Sequence, residues 1–386
     1  MTFIAIGTGL LVLATALVAL LVEVLRRFLS SHPIVWRRIG VVLLISLPIH
    51  AFLTVPALLG GIAPLFLVRT RGDEAGWKGP AFTADGRWHV TTREELATGG
   101  EEPDLTRPGP SRPFDVNSAD GVRIHGWYVP VPAGRTPRAV AVLVHGLWRG
   151  GMELEPVGRM FRGLDCDVVI VEMRNHGRSG RAFATFGARE SDDVVAVVDG
   201  FVQAPGGPGV GRPVILYGVS LGSAAAALAA PRVDGLVGVV LDAPMDDMER
   251  TARRLMSASA SGRRRSLDFP WPWQGLVLHA IELFGGVDLS AIDPAVALAQ
   301  LPSDLPVLLI GAGHDWRMPP EVVRGVHASL STDPAAKRLW ICPTATHGKA
   351  FLPAEPDEWD AAGESYHGDP ERYRRELSWL VDAALD

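Results

Sequence analysis

The chain has 386 residues, a formal net charge of −6 and 47% hydrophobic residues. That balance offers no basic surface for nucleic acid. Two cysteines, Cys166 and Cys342, with no Cys/His pattern of zinc spacing, exclude a disulfide framework and call for no metal; both are expected as free thiols buried on separate strands.

The N-terminus is strongly apolar. Residues 3–25 (FIAIGTGLLVLATALVALLVEVL) carry one charge, Glu23, and as a helix would reach roughly 34 Å, enough to span a bilayer. A second uncharged run, 39–68, is broken by Pro48, Pro56, Pro64 and Gly60–Gly61, so 39–59 is expected as the span and the rest as a kinked exit. Two such runs around an arginine-rich loop fit a membrane anchor over 1–71 better than core helices of a soluble domain. His50, alone within the second run, reads as a packing or interfacial residue. Arg26, Arg27, Arg37 and Arg38 lie between the runs, which puts that loop in the cytoplasm and the remainder of the chain outside. Arg69 and Arg71, diluted by Asp73 and Glu74, pull the other way.

Residues 72–113 are polar and rich in Gly and Pro (GGEEPDLTRPGPSRP), the composition of a linker. From 114 onward short apolar runs alternate with helical patterns, as in a largely parallel α/β sheet. Strands are expected at 122–130, 139–144, 167–172, 213–217, 236–241, 307–310 and 338–341. The first of these is antiparallel, because it alternates and ends at Pro130. Helices are expected at 152–164, 188–202, 321–331 and 370–385.

One stretch, 217–226 (YGVSLGSAAA), places a serine between two glycines at the end of a buried strand. With 42 glycines in the chain the bare G-x-S-x-G match is weak. Its setting is stronger: strand, tight turn, then a small-residue helix opening near Leu221, as a nucleophile elbow requires. Gly218 and Gly222 keep the turn free of side chains, and the helix N-terminus aims N–H groups at Ser220. Ser223, one turn into the helix, reads as packed. A serine hydroxyl needs a base, and the base needs an orienting acid. His347 (ICPTATHG) and Asp315 (IGAGHDWRMP) each follow a strand, in the order Ser220, Asp315, His347. Asp242, after the strand that follows the elbow, is the competing acid, with Asp246 and Asp247 behind it. Taken singly, Asp315 could equally be a helix cap and His347 a surface residue.

On these motifs the chain resembles the α/β-hydrolase superfamily from 114 to the C-terminus. It is most similar to a membrane-anchored branch related to prolyl-oligopeptidase and serine-aminopeptidase-like hydrolases. The further motifs are DGVRIHGWYVP at 120–130, the H-G turn at His145–Gly146–Leu147–Trp148, RNHGRS at 174–179, and the D-x-x-hydrophobic-P match at 315–319. The resemblance implies a mostly parallel eight-stranded sheet flanked by helices, and an oxyanion hole from the backbone N–H groups of Leu147 and Leu221. His145, beside Gly146, is then structural, and His176 and His314 are turn and rim residues. No cofactor is implied.

Residues 245–304 stand where this fold inserts a cap, with arginines at 253, 254 and 263–265, FPWPW at 269–273 and an apolar run at 276–284. A lid over an acyl pocket, a membrane-surface contact and ordinary helix packing all fit it. The chain therefore reads as a membrane-anchored serine hydrolase of an ester, thioester or amide, with lipid-like or carboxylic esters favoured. A peptidase and a non-catalytic scaffold are the alternatives; a scaffold would be expected to lack a part of the machinery.

Overall fold

A computed structural model describes residues 78–82, 87–91, 111–256, 273–352 and 366–386, all within the unit Gly60–Asp386. Both apolar N-terminal runs, and with them the expected anchor, lie outside the described residues. Among the described residues no helix is long and apolar enough to cross a membrane.

Eight strands form one sheet: β1 (Arg112–Asn117), β2 (Arg123–Val129), β3 (Ala139–Val144), β4 (Cys166–Glu172), β5 (Val214–Val219), β6 (Leu236–Asp242), β7 (Val307–Ala312) and β8 (Lys337–Cys342). Their spatial order is β1-β2-β4-β3-β5-β6-β7-β8. The β1–β2 and β2–β4 pairs are antiparallel and every other pair is parallel. The central strands β3, β4, β5 and β7 are buried along their whole length. They read as unbroken apolar runs because helices cover both faces.

Alternate residues feed two cores. Val140, Val142 and Val144 of β3 and Val214 and Leu216 of β5 join the core under α2 (Ala188–Val197), α3 (Leu221–Ala229) and α7 (Pro320–Ser329). Ala139, Ala141, Leu143, Ile215 and Tyr217 join the opposite one, under α1 (Glu155–Gly163) and α8 (Pro370–Leu385). The chain thus leaves β3 through α1 on one face and enters β5 after α2 on the other. The C-terminal ends of β3 and β5 form the switch point at which open α/β sheets bind ligands.

Two differences from the sequence reading concern the N-terminal side. β1 is an added edge strand; Pro113 and its exposed charges hide it, and an edge is where a strand proline is tolerated. Parts of the expected linker pack on the domain. Ala81–Phe82 pairs with Trp88–His89, and Phe82 and Trp88 are buried. Trp88 lies over Gly158 of α1, where an added Cβ would meet its ring at 2.7 Å. Glu155 accepts hydrogen bonds from the Trp88 indole (3.4 Å) and the Thr91 N–H (2.8 Å). Two-residue strands carry no periodicity for a sequence pattern to record.

Within the cap insertion, α4 (Met248–Met256), α5 (Trp273–Gly285) and α6 (Pro294–Leu298) are described. Val277, Leu278 and Ile281 of α5 belong to the same core as Leu221 and Met318, so this part is ordinary packing. The arginines at 263–265 and residues 269–272 of FPWPW lie outside the described residues. Cys166 and Cys342 are free and buried, and burial pushes the Cys166 thiol up to about 12.

Candidate active site

Ser220 is the first residue past β5, held at φ 55° and ψ −119°. A non-glycine backbone there costs about 1–3 kcal/mol and persists only where its surroundings enforce it. They do: the Ser220 N–H donates to Asp242 O (2.9 Å), and its carbonyl accepts from the Ser223 N–H (2.9 Å). A Cβ on Gly218 would stand 2.1 Å from Gly222 O, and one on Gly222 would stand 2.2 Å from Val144 O. The turn can form, and α3 can meet the end of β3, only with glycine at both places. Ser223 is buried, its hydroxyl spent on Ser220 O.

The loops after β7 and β8 are laced together by Gly313 N–H to Cys342 O (2.7 Å) and His314 N–H to Ala345 O (3.0 Å). This lacing brings Asp315 to His347. Asp315 Oδ2 lies 2.7 Å from His347 Nδ1, and His347 Nε2 lies 2.8 Å from Ser220 Oγ. The other oxygen, Oδ1, accepts from the N–H groups of Arg317 (2.9 Å) and Met318 (3.0 Å), which orients the carboxylate. An ionised Asp315 assigns the proton to Nδ1 and leaves the Nε2 lone pair for the serine hydroxyl.

The competing acids are engaged elsewhere. Asp242 accepts from Tyr373 of α8 (2.9 Å), whose hydroxyl meets that of Tyr217 (3.0 Å). Burial pushes Asp242 up to about 7; the Tyr373 hydrogen bond opposes the shift, and the charges of Asp315 and Glu153 add to it. Asp246 pairs with Arg254 (2.7 Å), and Asp247 accepts from the Arg250 N–H in the first turn of α4 (2.7 Å).

The turn after β3 is set by side chains on every side. Gly146 N–H donates to Glu153 Oε2 (2.8 Å), and Trp148, at φ 62°, donates its N–H to His176 Nε2 (3.1 Å). Arg149 N–H closes the turn on Gly146 O (3.3 Å). Among the described residues the Leu147 N–H of the same turn has no acceptor. Leu221, as the first residue of α3, likewise has no acceptor for its N–H within the helix. His145 is fully buried, with Nδ1 on Gly146 O (2.7 Å) and Nε2 accepting from Met173 N–H (3.1 Å). Burial, with a contribution from His176, pushes it down to about 3, so it is a neutral turn-builder. His176 does the same work through Arg174 O (2.9 Å). His314 lies at the rim, its ring 4.8 Å from that of Tyr366.

The model of the alpha/beta hydrolase family matches residues 141–376, which spans this sheet from β3 onward and all three of these residues. The chain belongs to the alpha/beta hydrolase family. Among curated relatives, this alpha/beta hydrolase is 25% identical over 242 residues to the uncharacterized protein YqkD of Bacillus subtilis (strain 168), covering 62% of this chain and 73% of that one. Among solved structures it is similar to an esterase of Pyrococcus furiosus, with a TM-score of 0.53 at 18% identity over 80% of this chain and 99% of the other. It is also similar to Est1E of Butyrivibrio proteoclasticus with bound ferulic acid, with a TM-score of 0.50 at 15% identity over 70% and 98%. At these identities the likeness is one of fold.

Sequence reasoning missed Glu153 in this alpha/beta hydrolase. It sits in the short 3-10 turn Gly151–Leu154 before α1 and reaches back to Gly146. Burial raises its pKa, while Arg149, the Gly146 N–H, His347 and Lys349 pull it down. An acid seven residues after a glycine carries no signal until the chain folds back on itself.

Proposed function

We propose that this chain is a serine hydrolase that cleaves carboxylic esters, or the related thioesters and amides, through an acyl-enzyme. The observation that carries the reading is the continuous line from Asp315 through His347 to Ser220 Oγ, at 2.7 and 2.8 Å, beside the N–H groups of Leu147 and Leu221. In this reading Ser220 Oγ attacks the carbonyl carbon as His347 Nε2 takes its proton, and Asp315 stabilises the imidazolium. The two N–H groups receive the oxyanion, each worth roughly 10²–10³ in rate in such sites. Collapse expels the alcohol with the proton from His347, and water repeats the sequence to free the acid.

Esters are favoured because the solved structures of like fold include the Pyrococcus furiosus esterase. Membrane anchoring by residues 3–25 and 39–59, with the catalytic domain outside the cytoplasm, remains part of the proposal on the strength of the apolar runs and the arginine loop.

The test is covalent labelling with a fluorophosphonate, together with turnover of p-nitrophenyl esters against peptide amides. Labelling at Ser220 and ester turnover, both lost in Ser220→Ala, are expected. A folded protein that takes no label overturns the enzyme reading, and a label that persists in Ser220→Ala overturns the choice of nucleophile. Digestion of the catalytic domain by protease added to intact cells is the expected result for the orientation; protection until the membrane is opened overturns it.

A further inference from the structure

Two side chains hold the turn after β3. Glu153 Oε2 accepts the Gly146 N–H (2.8 Å), and His145 Nδ1 lies 2.7 Å from Gly146 O. Each peptide unit is planar, with its N–H pointing away from its C=O. The first contact therefore fixes the His145–Gly146 plane, and the second fixes the Gly146–Leu147 plane, which carries the Leu147 N–H. His145 is fully buried and accepts Met173 N–H at Nε2 (3.1 Å), so Nδ1 holds the proton given to Gly146 O. Glu153 supplies the other half of the grip.

An acid at the start of a helix is ordinarily a solvated partner of the free N–H groups there, and Glu153 stands in the first turn of the 3-10 segment Gly151–Leu154. Its contacts separate it from that reading. The side chain is 15% exposed and reaches seven residues back along the chain. Its second oxygen, Oε1, lies 3.6 Å from Arg149 Nε. The carboxylate thus holds both ends of the turn that Arg149 N–H closes on Gly146 O (3.3 Å). Met152 and Leu154, buried on either side of it, fix the segment that carries it. The turn also lies against the nucleophile: a Cβ on Gly146 would stand 3.3 Å from Glu153 Oε2 and 3.5 Å from Ser220 Cβ. A free carboxylate bordering that space would oppose a forming oxyanion, but this one is spent on the Gly146 N–H and the Arg149 guanidinium.

We infer that Glu153 is a positioning residue for the oxyanion hole: by holding Gly146 and Arg149 together it aims the Leu147 N–H at the oxygen of the carbonyl that Ser220 attacks. The inference rests on the serine-hydrolase reading and extends its machinery to a residue outside the line of serine, histidine and acid.

The experiment compares three variants of the full-length protein. Glu153→Ala removes the acceptor, Glu153→Asp keeps the charge one methylene short of Gly146, and Glu153→Gln keeps an acceptor at full reach without the charge. kcat/KM for p-nitrophenyl butyrate is measured per site titrated by the fluorophosphonate, so that unfolded protein does not count. The Ki of an alkyl trifluoromethyl ketone is measured beside it. Ser220 Oγ adds to the carbonyl carbon of that ketone, its proton passes to His347, and the carbonyl oxygen becomes an oxyanion in the hole. The expected result is a fall in kcat/KM of about 10–100-fold in Glu153→Ala and Glu153→Asp, with Ki raised by the same factor. Glu153→Gln should recover most of both. Should the alanine variant not fold, the aspartate and glutamine variants carry the comparison alone. Wild-type kcat/KM in Glu153→Asp overturns the inference, as does a fall in kcat/KM with no rise in Ki, which would place the action of Glu153 outside the oxyanion hole. A glutamine variant no better than the aspartate one also overturns it, because charge and not the hydrogen bond would then be at work. In all three cases labelling of Ser220 leaves the serine-hydrolase reading standing. A wild-type protein with neither labelling nor turnover overturns that reading, and the inference with it.

Discussion

Arg174 with the buried Asp193 and the exposed Asp120, and the partly buried His347 with the buried Asp315, are two charge clusters of similar make at the C-terminal end of one sheet. Both stand in motifs that sequence inspection singles out, RNHGRS and HDWRMP with ATHG. Arg174 is 1% exposed and gives its donors to Asp193 (2.6 and 2.9 Å), Asp120 (2.8 Å) and Ser118 (3.2 Å). It ties the β1–β2 turn and α2 to the loop after β4, and its bonding is complete. His347 has one nitrogen on Asp315 and the other on a hydroxyl that is itself half-buried at the open end of the sheet. Charge and burial do not distinguish a structural cluster from a chemical one. What distinguishes them is a bonding set that ends on a group a ligand can reach.

That contrast separates most sharply in Asp315→Asn, which should lower kcat by about 10⁴-fold by losing the tautomer that presents Nε2 to the serine. Its urea midpoint should shift far less than its activity, because Asn can still accept the N–H groups of Arg317 and Met318. A variant that keeps more than a tenth of the ester turnover would move the acid elsewhere.

Arg174→Met should do the reverse. Leaving Asp193 buried without its partner costs about 3–5 kcal/mol, read as a lower urea midpoint. The fraction that stays folded should still take the fluorophosphonate at Ser220. Loss of labelling in folded protein would make the Arg174 cluster part of the chemistry.

The smallest effect is expected from Asp242→Asn, which probes the buried acid whose backbone carbonyl accepts the Ser220 N–H. Asp242 titrates at about 7 in the folded chain, against about 4 for an unperturbed aspartate. Below pH 4 both states are protonated and no penalty arises. From pH 4 to 7 the unfolded chain ionises while the folded one holds its proton, so stability falls across that window and levels off above it. The Asn variant keeps an acceptor for Tyr373 and should flatten that fall, by a few kcal/mol at most. Urea midpoints at pH 4.5 and pH 7.5 measure it; an unaltered difference between them would mean that Asp242 is ionised throughout.

Much of this was legible in the residues. Strands buried on both faces appear as unbroken apolar runs, so β3, β4, β5 and β7 stood out, and the glycines of the elbow announced a turn that no side chain fits. Ser220 and Asp315 could be placed because each lies a few residues past such a strand, and His347 because it follows the edge strand β8. β1 and the Phe82–Trp88 ribbon could not, because a proline-bearing edge and two-residue strands leave no pattern.

The sequence by itself determined the alternation of strands and helices, the turn at Ser220 and the order of the three residues, since each is a local matter of which side chains face the core and which backbone can bend. Only the tertiary structure decided that Asp315 and not Asp242 reaches His347, that Glu153 closes the turn at Gly146, and that Asp120 and Arg174 belong to one clamp. These pairings join residues from 7 to 54 positions apart. Such partners meet because separate loops converge at the switch point of the sheet, and no local pattern of hydrophobic and polar residues encodes which side chains meet there.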